Sequence, residues 1–420
     1  MKDRLGIYIH IPFCASKCGY CDFYSLSGCG HLMPEYQKAL LAHIEESSGA
    51  IKNYQVDTIY FGGGTPSYYG AERIVEILDE LKLNGNVRLD SEITVECNPD
   101  SVNPDMLKLL RQEGVNRLSL GVQASDNALL KLIGRRHNFR QAQQAVADAR
   151  RAGFENISLD VMYGLPSQTK RDWAETLSKV MELHPEHISC YGLKLEEGTP
   201  MYKEYKGSSI LPSEDEQADM YSYAAELLDR YNYKQYEISN FSAPGFESRH
   251  NLKYWNLDDY MGFGPGAHSC IGNLRYSYVK DLKQYIAGIK RGASIIDEYE
   301  TVDPLEKAVE YLMLGMRTSR GISRDDYRER CRCNWKPVGR ALKAFEEKGW
   351  AEQTDGRWHF TVPGFLISNT LIGILLEAQA SGRVEGAIWL GEAFAAEEKI
   401  KLPKGEEELF AEMYSRELNK

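Results

Sequence analysis

The chain has 420 residues, a formal net charge of −11 and a hydrophobic content of 43%. This length allows two domains with one large core, and the acidic balance argues against a broad nucleic-acid-binding surface, which needs an excess of Lys and Arg. Nine cysteines, an odd number spread along most of the chain, indicate reduced thiols rather than a disulfide framework. No signal peptide or membrane-spanning stretch is recognisable, so the sequence predicts a cytoplasmic protein.

Short apolar runs alternate with longer stretches of helical period over residues 1–235. The predicted strands are 5–11, 57–61, 92–97, 117–121, 157–162 and 187–193, and the predicted helices are 34–48, 71–83, 104–113, 125–132, 138–152, 169–182 and 214–230. Near-continuous apolar strands between helices predict an α/β fold, with a parallel sheet and the helices outside it. In a barrel-like sheet of this kind, the chemistry lies at the C-terminal ends of the strands.

Unusual residues follow these predicted strand ends. The cysteine-rich stretch FCASKCGYCDF follows the first strand, and GGGTP follows the second. Glu96 lies at the end of the third strand, Gln123 follows the fourth, and Asp160 lies near the end of the fifth. Because the C-terminal ends of parallel strands share one face of a barrel, these residues are predicted to form one site.

The cysteine loop has the spacing of a metal centre. Cys14, Cys18 and Cys21 form a CxxxCxxC pattern, so three thiolates can converge from one loop. A structural zinc ion needs a fourth ligand and remains an alternative. The side chains available for it are His10, Cys29 and His31. A [4Fe–4S] cluster bound by three thiolates leaves one iron open to another ligand, and the missing fourth cysteine favours this interpretation.

Taken together, these motifs resemble the radical S-adenosylmethionine (SAM) family. YIHIPFCASKCGYCDF, YFGGGTPS, LSLGVQ, GRRH and LDVMYGLP resemble in particular the branch of oxygen-independent coproporphyrinogen III oxidases and HemW-like haem chaperones, over about residues 1–380. The resemblance implies a radical SAM partial (β/α)6 barrel. It also implies that Cys14, Cys18 and Cys21 hold three irons of a [4Fe–4S] cluster while SAM chelates the fourth. In the family, an electron from the cluster cleaves SAM to a 5′-deoxyadenosyl radical.

The resemblance also implies which residues contact SAM. Glycines let a ligand approach the backbone closely, carboxylates suit ribose hydroxyls or the SAM ammonium, and an arginine offers a fixed cationic fork. The implied SAM-binding residues are Tyr8, Tyr20, Gly62, Gly63, Gly64, Thr65, Glu96, Gln123, Arg135 and Asp160. For the two tyrosines, a packed aromatic ring is an equal alternative.

The chain departs from the oxidase pattern at two points. Phe23 stands where the oxidases carry a further cysteine. Only thirteen residues precede Cys14, so we expect the longer N-terminal extension of the oxidases to be absent. Both departures favour the chaperone.

A second motif, RHNLKYWNLDDYMGFGPGAHS, occupies residues 249–269. His250 offers an imidazole to a haem iron, and Tyr254 and Trp255 offer flat faces to a porphyrin. Judged without relatives, a hydrogen-bonded structural histidine is the commoner outcome. The HNxxYW pattern occurs in the HemW-like proteins, and this resemblance implies haem binding by His250.

The pattern changes again near residue 300. Two predicted helices, a hairpin and a last helix follow, an order that resembles a winged-helix fold. We interpret this part as a structural or partner-contact domain. The predicted regions are 1–235 for the radical SAM core, 236–299 for a barrel extension carrying HNxxYW, 300–380 for a helical, winged-helix-like domain, and 381–420 for a tail without an interpretable motif.

Two alternative functions are compatible with the predicted cofactor site. The first is a haem chaperone that delivers haem to haem-requiring acceptor proteins, which in the family include membrane respiratory enzymes. The second is a radical SAM enzyme acting on a porphyrin, such as oxygen-independent coproporphyrinogen III oxidase. Phe23 and HNLKYW favour the chaperone. The sequence predicts no nucleic-acid partner, and it leaves open a homodimer and peripheral membrane attachment through an acceptor.

Overall fold

The computed structural model describes residues 3–331 and 333–384. The chain divides into two compact units, Met1–Asp303 and the residues from Pro304 onward. The predicted tail, 381–420, lies outside the described residues from position 385.

The first unit is built on the six predicted strands, all of which are confirmed. They are β1 Arg4–Ile11, β2 Gln55–Gly63, β3 Val87–Cys97, β4 Arg117–Gln123, β5 Ile157–Tyr163 and β6 His187–Gly192. Each strand pairs in parallel with the next one along the chain, so sequence order and sheet order coincide.

Helices follow these strands, and local capping explains where several of them begin. Those at the predicted positions are α1 Met33–Glu46, α2 Ala71–Asn84, α3 Pro104–Gln112, α4 Asn127–Leu132, α5 Phe139–Arg151, α6 Lys170–Met181 and α7 Glu214–Arg230. Short helical turns lie at Gly30–Leu32, Ser48–Ile51, Pro66–Tyr69 and Pro200–Tyr205. Asn138, Thr169 and Ser213 each cap a helix start through a reciprocal bond with the side chain three residues later.

The core lies between the strands and the surrounding helices. Ile7, Ile9, Ile59 and Phe61 are fully buried and alternate along β1 and β2 with residues that face the barrel interior. Burying each such side chain contributes about 1.5–3 kcal/mol, so this outer layer fixes which strand faces point inward.

The sheet continues on both sides of the six strands. Tyr260–Phe263 pairs in parallel with β1, and three antiparallel strands follow it outward. Those strands are His268–Ile271, Leu274–Tyr278 and Ile296–Thr301; beyond β6 lie Asn240–Ser242 and Lys234–Gln235. Within the described part of the chain the sheet thus has twelve strands, and β1 does not pair with β6. These additions were not predicted, because they are short or, like Ile296–Thr301, exposed throughout.

Helix α8, Arg249–Asn256, carries the HNxxYW motif, and two buried contacts hold it against the sheet. The Lys253 Nζ lies 2.7 Å from the Asp57 Oδ1, and each side chain is only 6% exposed. The backbone N–H groups of Arg249 and His250 donate to the Glu92 carboxylate at 3.0 Å. The helix start is therefore capped by a carboxylate from β3. Helix α9, Leu282–Arg291, completes this part of the unit.

The second unit combines helices with a three-stranded antiparallel sheet. Its helices are Pro304–Gly315, Arg324–Cys331, Lys336–Glu347, Val362–Leu366 and Ser368–Val384, and its strands are Ile322–Ser323, Ala351–Thr354 and Arg357–Phe360. The predicted hairpin is confirmed by the pairing of Ala351 with Phe360. Among the described residues, no helix is long and apolar enough to cross a bilayer.

Candidate functional site

The three loop cysteines line one cavity of about 380 Å³ at the C-terminal ends of the strands. Cys14 ends a two-residue strand, Phe13–Cys14, that pairs with Leu26–Ser27. This pairing closes the loop, and the Cys21 N–H donates to the Cys18 carbonyl oxygen at 3.3 Å. Cys14 is buried, whereas the other two thiols are partly exposed.

Polar side chains reach two of these sulfurs. The Thr65 hydroxyl donates to the Cys14 Sγ at 3.4 Å, and the Arg135 Nη1 lies 3.7 Å from the Cys18 Sγ. Burial raises the pKa of the Cys14 and Cys21 thiols. A bound metal centre supplies the positive charge that favours thiolates in such a place.

Within residues 3–331 and 333–384, no group of three or more His, Cys, Asp or Glu side chains is arranged to hold a single metal ion. The loop cysteines share a cavity without surrounding one ion position. A [4Fe–4S] cluster is larger than an ion and takes each thiolate on a different iron.

Glu96 lies at the end of β3 with one side toward the cavity. The Tyr60 hydroxyl donates to its Oε1 at 2.8 Å, and the Gly63 N–H donates to its Oε2 at 3.2 Å. Burial raises the pKa of Glu96 to about 7, although the Tyr60 bond opposes this rise. The carboxyl is therefore poised to ionise when a cationic group, such as an ammonium, approaches.

Asp160 is held on β5 by three serine hydroxyls. Those of Ser189, Ser119 and Ser158 donate to its oxygens at 2.7, 3.0 and 3.3 Å. Burial raises its pKa, and the serine bonds oppose that rise. Because three serine hydroxyls donate to it, the Asp160 carboxylate is held in one orientation toward the cavity.

The glycine triplet is explained by protein packing as well as by its place in the site. Gly63 has φ +108°, and a Cβ there would lie 2.5 Å from the His10 ring. At Gly64 a Cβ would lie 2.7 Å from the Phe13 carbonyl oxygen, and at Gly62 it would lie 2.9 Å from the Tyr60 ring. Each position therefore excludes a side chain because the chain itself passes close by.

Most of the predicted site residues line this one cavity. They are Cys14, Cys18, Tyr20, Cys21, Gly63, Gly64, Thr65, Glu96, Gln123, Arg135 and Asp160. Gln123 follows an irregularity in the pairing of β4 with β5 and has φ +68°. Arg135 donates to the Asn98 Oδ1 at 2.7 Å and to the Gly121 carbonyl oxygen at 2.5 Å.

Three predicted residues lie behind the cavity wall. Gly62 is one, and Tyr8 is another, with its hydroxyl 3.1 Å from the His10 Nδ1 and its ring stacked on Tyr60. His250 is the third. It is 1% exposed, and burial lowers its pKa to about 3.

Both ring nitrogens of His250 already have partners. Its Nδ1 lies 2.9 Å from the Thr58 hydroxyl, and its Nε2 lies 2.9 Å from the Tyr254 hydroxyl. The ring also stacks on Tyr60, with 5.1 Å between centroids. In contrast, Asn251, the next residue of the motif, lines the cavity.

Comparison with known proteins places this arrangement in a family. Residues 8–180 match the radical SAM superfamily model, and residues 302–367 match the HemN C-terminal domain model. The chain is 36% identical to the heme chaperone HemW of Bacillus subtilis, over 88% of this chain and 98% of that protein. It is 34% identical to HemW of Lactococcus lactis, over 87% of this chain and 95% of that protein.

The chain belongs to the HemW family. Among solved structures, the coproporphyrinogen III oxidase HemN of Escherichia coli resembles it with a TM-score of 0.76, covering 89% of this chain and 91% of the other. At 22% identity, this likeness concerns the fold. Together with the two family models, it confirms a radical SAM fold with a C-terminal domain.

Within this HemW-family chain, Phe23 extends from the cluster loop. It is 67% exposed and lines the cavity together with Tyr191 and Leu193. The position that departs from the oxidase pattern therefore places an apolar ring in contact with solvent at the site.

Sequence reasoning missed several cavity residues, namely Asn98, Arg117, Ser119, Ser189 and Tyr191. The signal was available for Arg117 and Ser119, because β4 reads RLSLGVQ and alternate residues of a strand share a face. Gly121 and Gln123 continue along the strand at the same spacing, and both also line the cavity.

Proposed function

We propose that this chain is a haem chaperone that binds haem and transfers it to haem-requiring acceptor proteins, with a [4Fe–4S] cluster and SAM bound in the cavity. The observation that carries the proposal is the similarity to two curated heme chaperones over almost their whole length. The exposed Phe23 in place of the oxidase cysteine supports the same conclusion.

The residues of the cavity fit the proposed cluster and SAM. Cys14, Cys18 and Cys21 would hold the cluster, since they share the cavity as free thiols. Glu96 would accept from the SAM ammonium, because its raised pKa falls when a cation is near. Asp160 would accept from ribose hydroxyls. When bound, the cluster and SAM together supply one-electron chemistry.

The role of His250 in haem binding is part of the proposal. In the folded chain its Nε2 bonds to the Tyr254 hydroxyl, so ligation of haem iron through Nε2 requires that bond to break. Removing the competing hydroxyl tests this step. Tyr254→Phe should bind haem more tightly than the wild-type protein, and His250→Ala should bind it more weakly, with a changed Soret band.

Haem titration of the reconstituted protein, followed by absorbance, distinguishes the outcomes. The matched control is Tyr231→Phe, which removes an exposed hydroxyl and should leave haem affinity unchanged. If both motif variants bind haem with wild-type affinity and spectrum, His250 is a structural histidine and another residue binds the iron.

Transfer is the activity that separates a chaperone from an enzyme. Haem-loaded protein mixed with an apo-acceptor of the respiratory type should lose haem to it and restore the acceptor's Soret band. The same preparation, given SAM and a reductant, should leave coproporphyrinogen III unchanged. If the protein decarboxylates coproporphyrinogen III and does not transfer haem, its function is that of the enzyme and not that of a chaperone.

The cellular location and the oligomeric state of the protein are also part of the proposal. We expect a cytoplasmic protein that reaches the membrane through its acceptor, and a homodimer is a further hypothesis. Fractionation of cells with and without the acceptor, and light scattering of the pure protein, measure these two properties.

A further inference from the structure

Arg117 is a buried cation at the inner end of the cavity. It begins β4, its side chain is 1% exposed, and it lines the cavity. Its Nε has no hydrogen-bond partner among the described residues, and no described carboxylate forms an ion pair with it. Taking a guanidinium out of water costs several kcal/mol unless an anion compensates it.

Glu96 and Asp160 line the same cavity and Arg117 lowers the pKa of both carboxyls, but neither of them forms an ion pair with it. Glu96 is bonded to Tyr60 and Gly63, while Asp160 is bonded to serine hydroxyls. Burial raises the pKa of both carboxyls and outweighs the lowering by Arg117. Arg117 therefore lines a space of about 380 Å³ in which no described carboxylate forms an ion pair with its guanidinium.

Neighbouring residues show that the guanidinium lies on the ligand side of the sheet. Arg117 pairs in register with Thr94, and its face of β4 continues through Ser119 and Gly121, which also line the cavity. An arginine presents five N–H donors in a planar fork, which matches a carboxylate in bidentate geometry.

We propose that Arg117 binds a carboxylate of the ligand held in this cavity. The inference deepens the proposed function, which supplies that group as a propionate of haem. The methionyl carboxylate of SAM, which in the radical SAM family chelates the open iron, is the alternative that the test separates. Either one would place an anion beside the cation that the folded chain has buried.

The variant Arg117→Met tests the proposal through two readouts that move in opposite directions. Because the uncompensated charge is removed, the ligand-free variant should melt at a higher temperature than the wild-type protein. Its affinity for the carboxylate ligand should fall tenfold or more, the range of a lost charged hydrogen bond. A purely structural arginine would give a lower melting temperature. Arg140→Met, at an exposed position of α5, is the matched control.

Measuring haem and SAM affinity separately identifies the source. Reconstituted protein is titrated with each ligand, and a loss confined to haem assigns the propionate, whereas a loss confined to SAM assigns the methionyl group. Unchanged affinity for both ligands overturns the proposal while leaving the proposed function intact. If the wild-type protein binds no haem, the proposed function fails, and the SAM titration still tests Arg117.

If Arg117→Met does not fold, changing the ligand instead of the protein tests the same contact. Wild-type protein is titrated with haem and with haem dimethyl ester, which has the same ring and no free carboxylate. For a propionate at Arg117 the ester should bind at least tenfold more weakly, and Arg117→Lys, which keeps the charge without the fork, should lose part of the haem affinity. Equal binding of both porphyrins, with wild-type SAM affinity in Arg117→Lys, contradicts the proposal.

Discussion

Replacing Glu96 by Gln should stabilise the folded chain at alkaline pH. Burial raises the pKa of Glu96 from 4.5 to about 7. Because the folded pKa lies above the unfolded one, the folded state binds this proton more tightly, and stability falls as the pH rises from 4.5 through 7. A glutamine has no proton to lose, so the variant lacks this fall.

The size of the effect follows from the two pKa values. The difference between 4.5 and about 7 corresponds to about 3 kcal/mol once the pH exceeds 7. At about pH 5 the loss of stability caused by this pKa difference is only about 1 kcal/mol. Glutamine can accept only one of the bonds from Tyr60 and Gly63, and the lost bond costs about 1 kcal/mol. The gain in unfolding free energy should thus be about zero at about pH 5 and about 2 kcal/mol at about pH 8.

Urea unfolding of anaerobically purified protein at several pH values measures this gain. Glu155→Gln, which changes an exposed carboxyl, serves as the control and should show no comparable pH dependence. If Glu96→Gln is less stable than the wild-type protein by the same amount at every pH, burial does not disfavour the charged carboxyl and the reasoning is wrong.

Three further predictions concern the loop, the motif helix and the glycines. Replacing any one of the three loop cysteines by Ser should remove the cluster iron, whereas Cys29→Ser should retain about four irons per chain, as iron and sulfide analysis would show. Lys253→Met should lower the unfolding free energy by about 1–3 kcal/mol, because Asp57 loses its closest buried cation and keeps Arg4 and Arg249 at 3.9 and 4.0 Å; an unchanged free energy in thermal unfolding would contradict this. Gly64→Ala should impair folding and iron content together, whereas Gly49→Ala, whose Cβ meets no atom within 4 Å, should change neither.

The strands and the residues at their ends could be predicted because both signals are local. Apolar runs of strand length mark β1 to β6, and parallel strands bring their C-terminal ends together. That logic placed Glu96 and Asp160 in one cavity with the loop cysteines.

What could not be predicted depends on partners far apart in the sequence. Nothing near His250 indicates that Thr58 binds its Nδ1, and the buried pair of Lys253 with Asp57 joins equally distant segments. The glycines show the same limit. A ligand was the predicted reason for Gly63, whereas its closest neighbour is the ring of His10.

The pairing of β1 has a consequence for how the chain is made. One edge of β1 joins β2, but the other joins Tyr260–Phe263, with Gly6 opposite Tyr260. On the ribosome, that second edge stays open until Tyr260–Phe263 has left the exit tunnel. An open apolar edge invites wrong pairing, so the nascent chain needs protection during this interval. The cysteine loop follows β1 directly. Iron delivered to the loop before Phe263 emerges would therefore bind to a chain whose sheet is still incomplete.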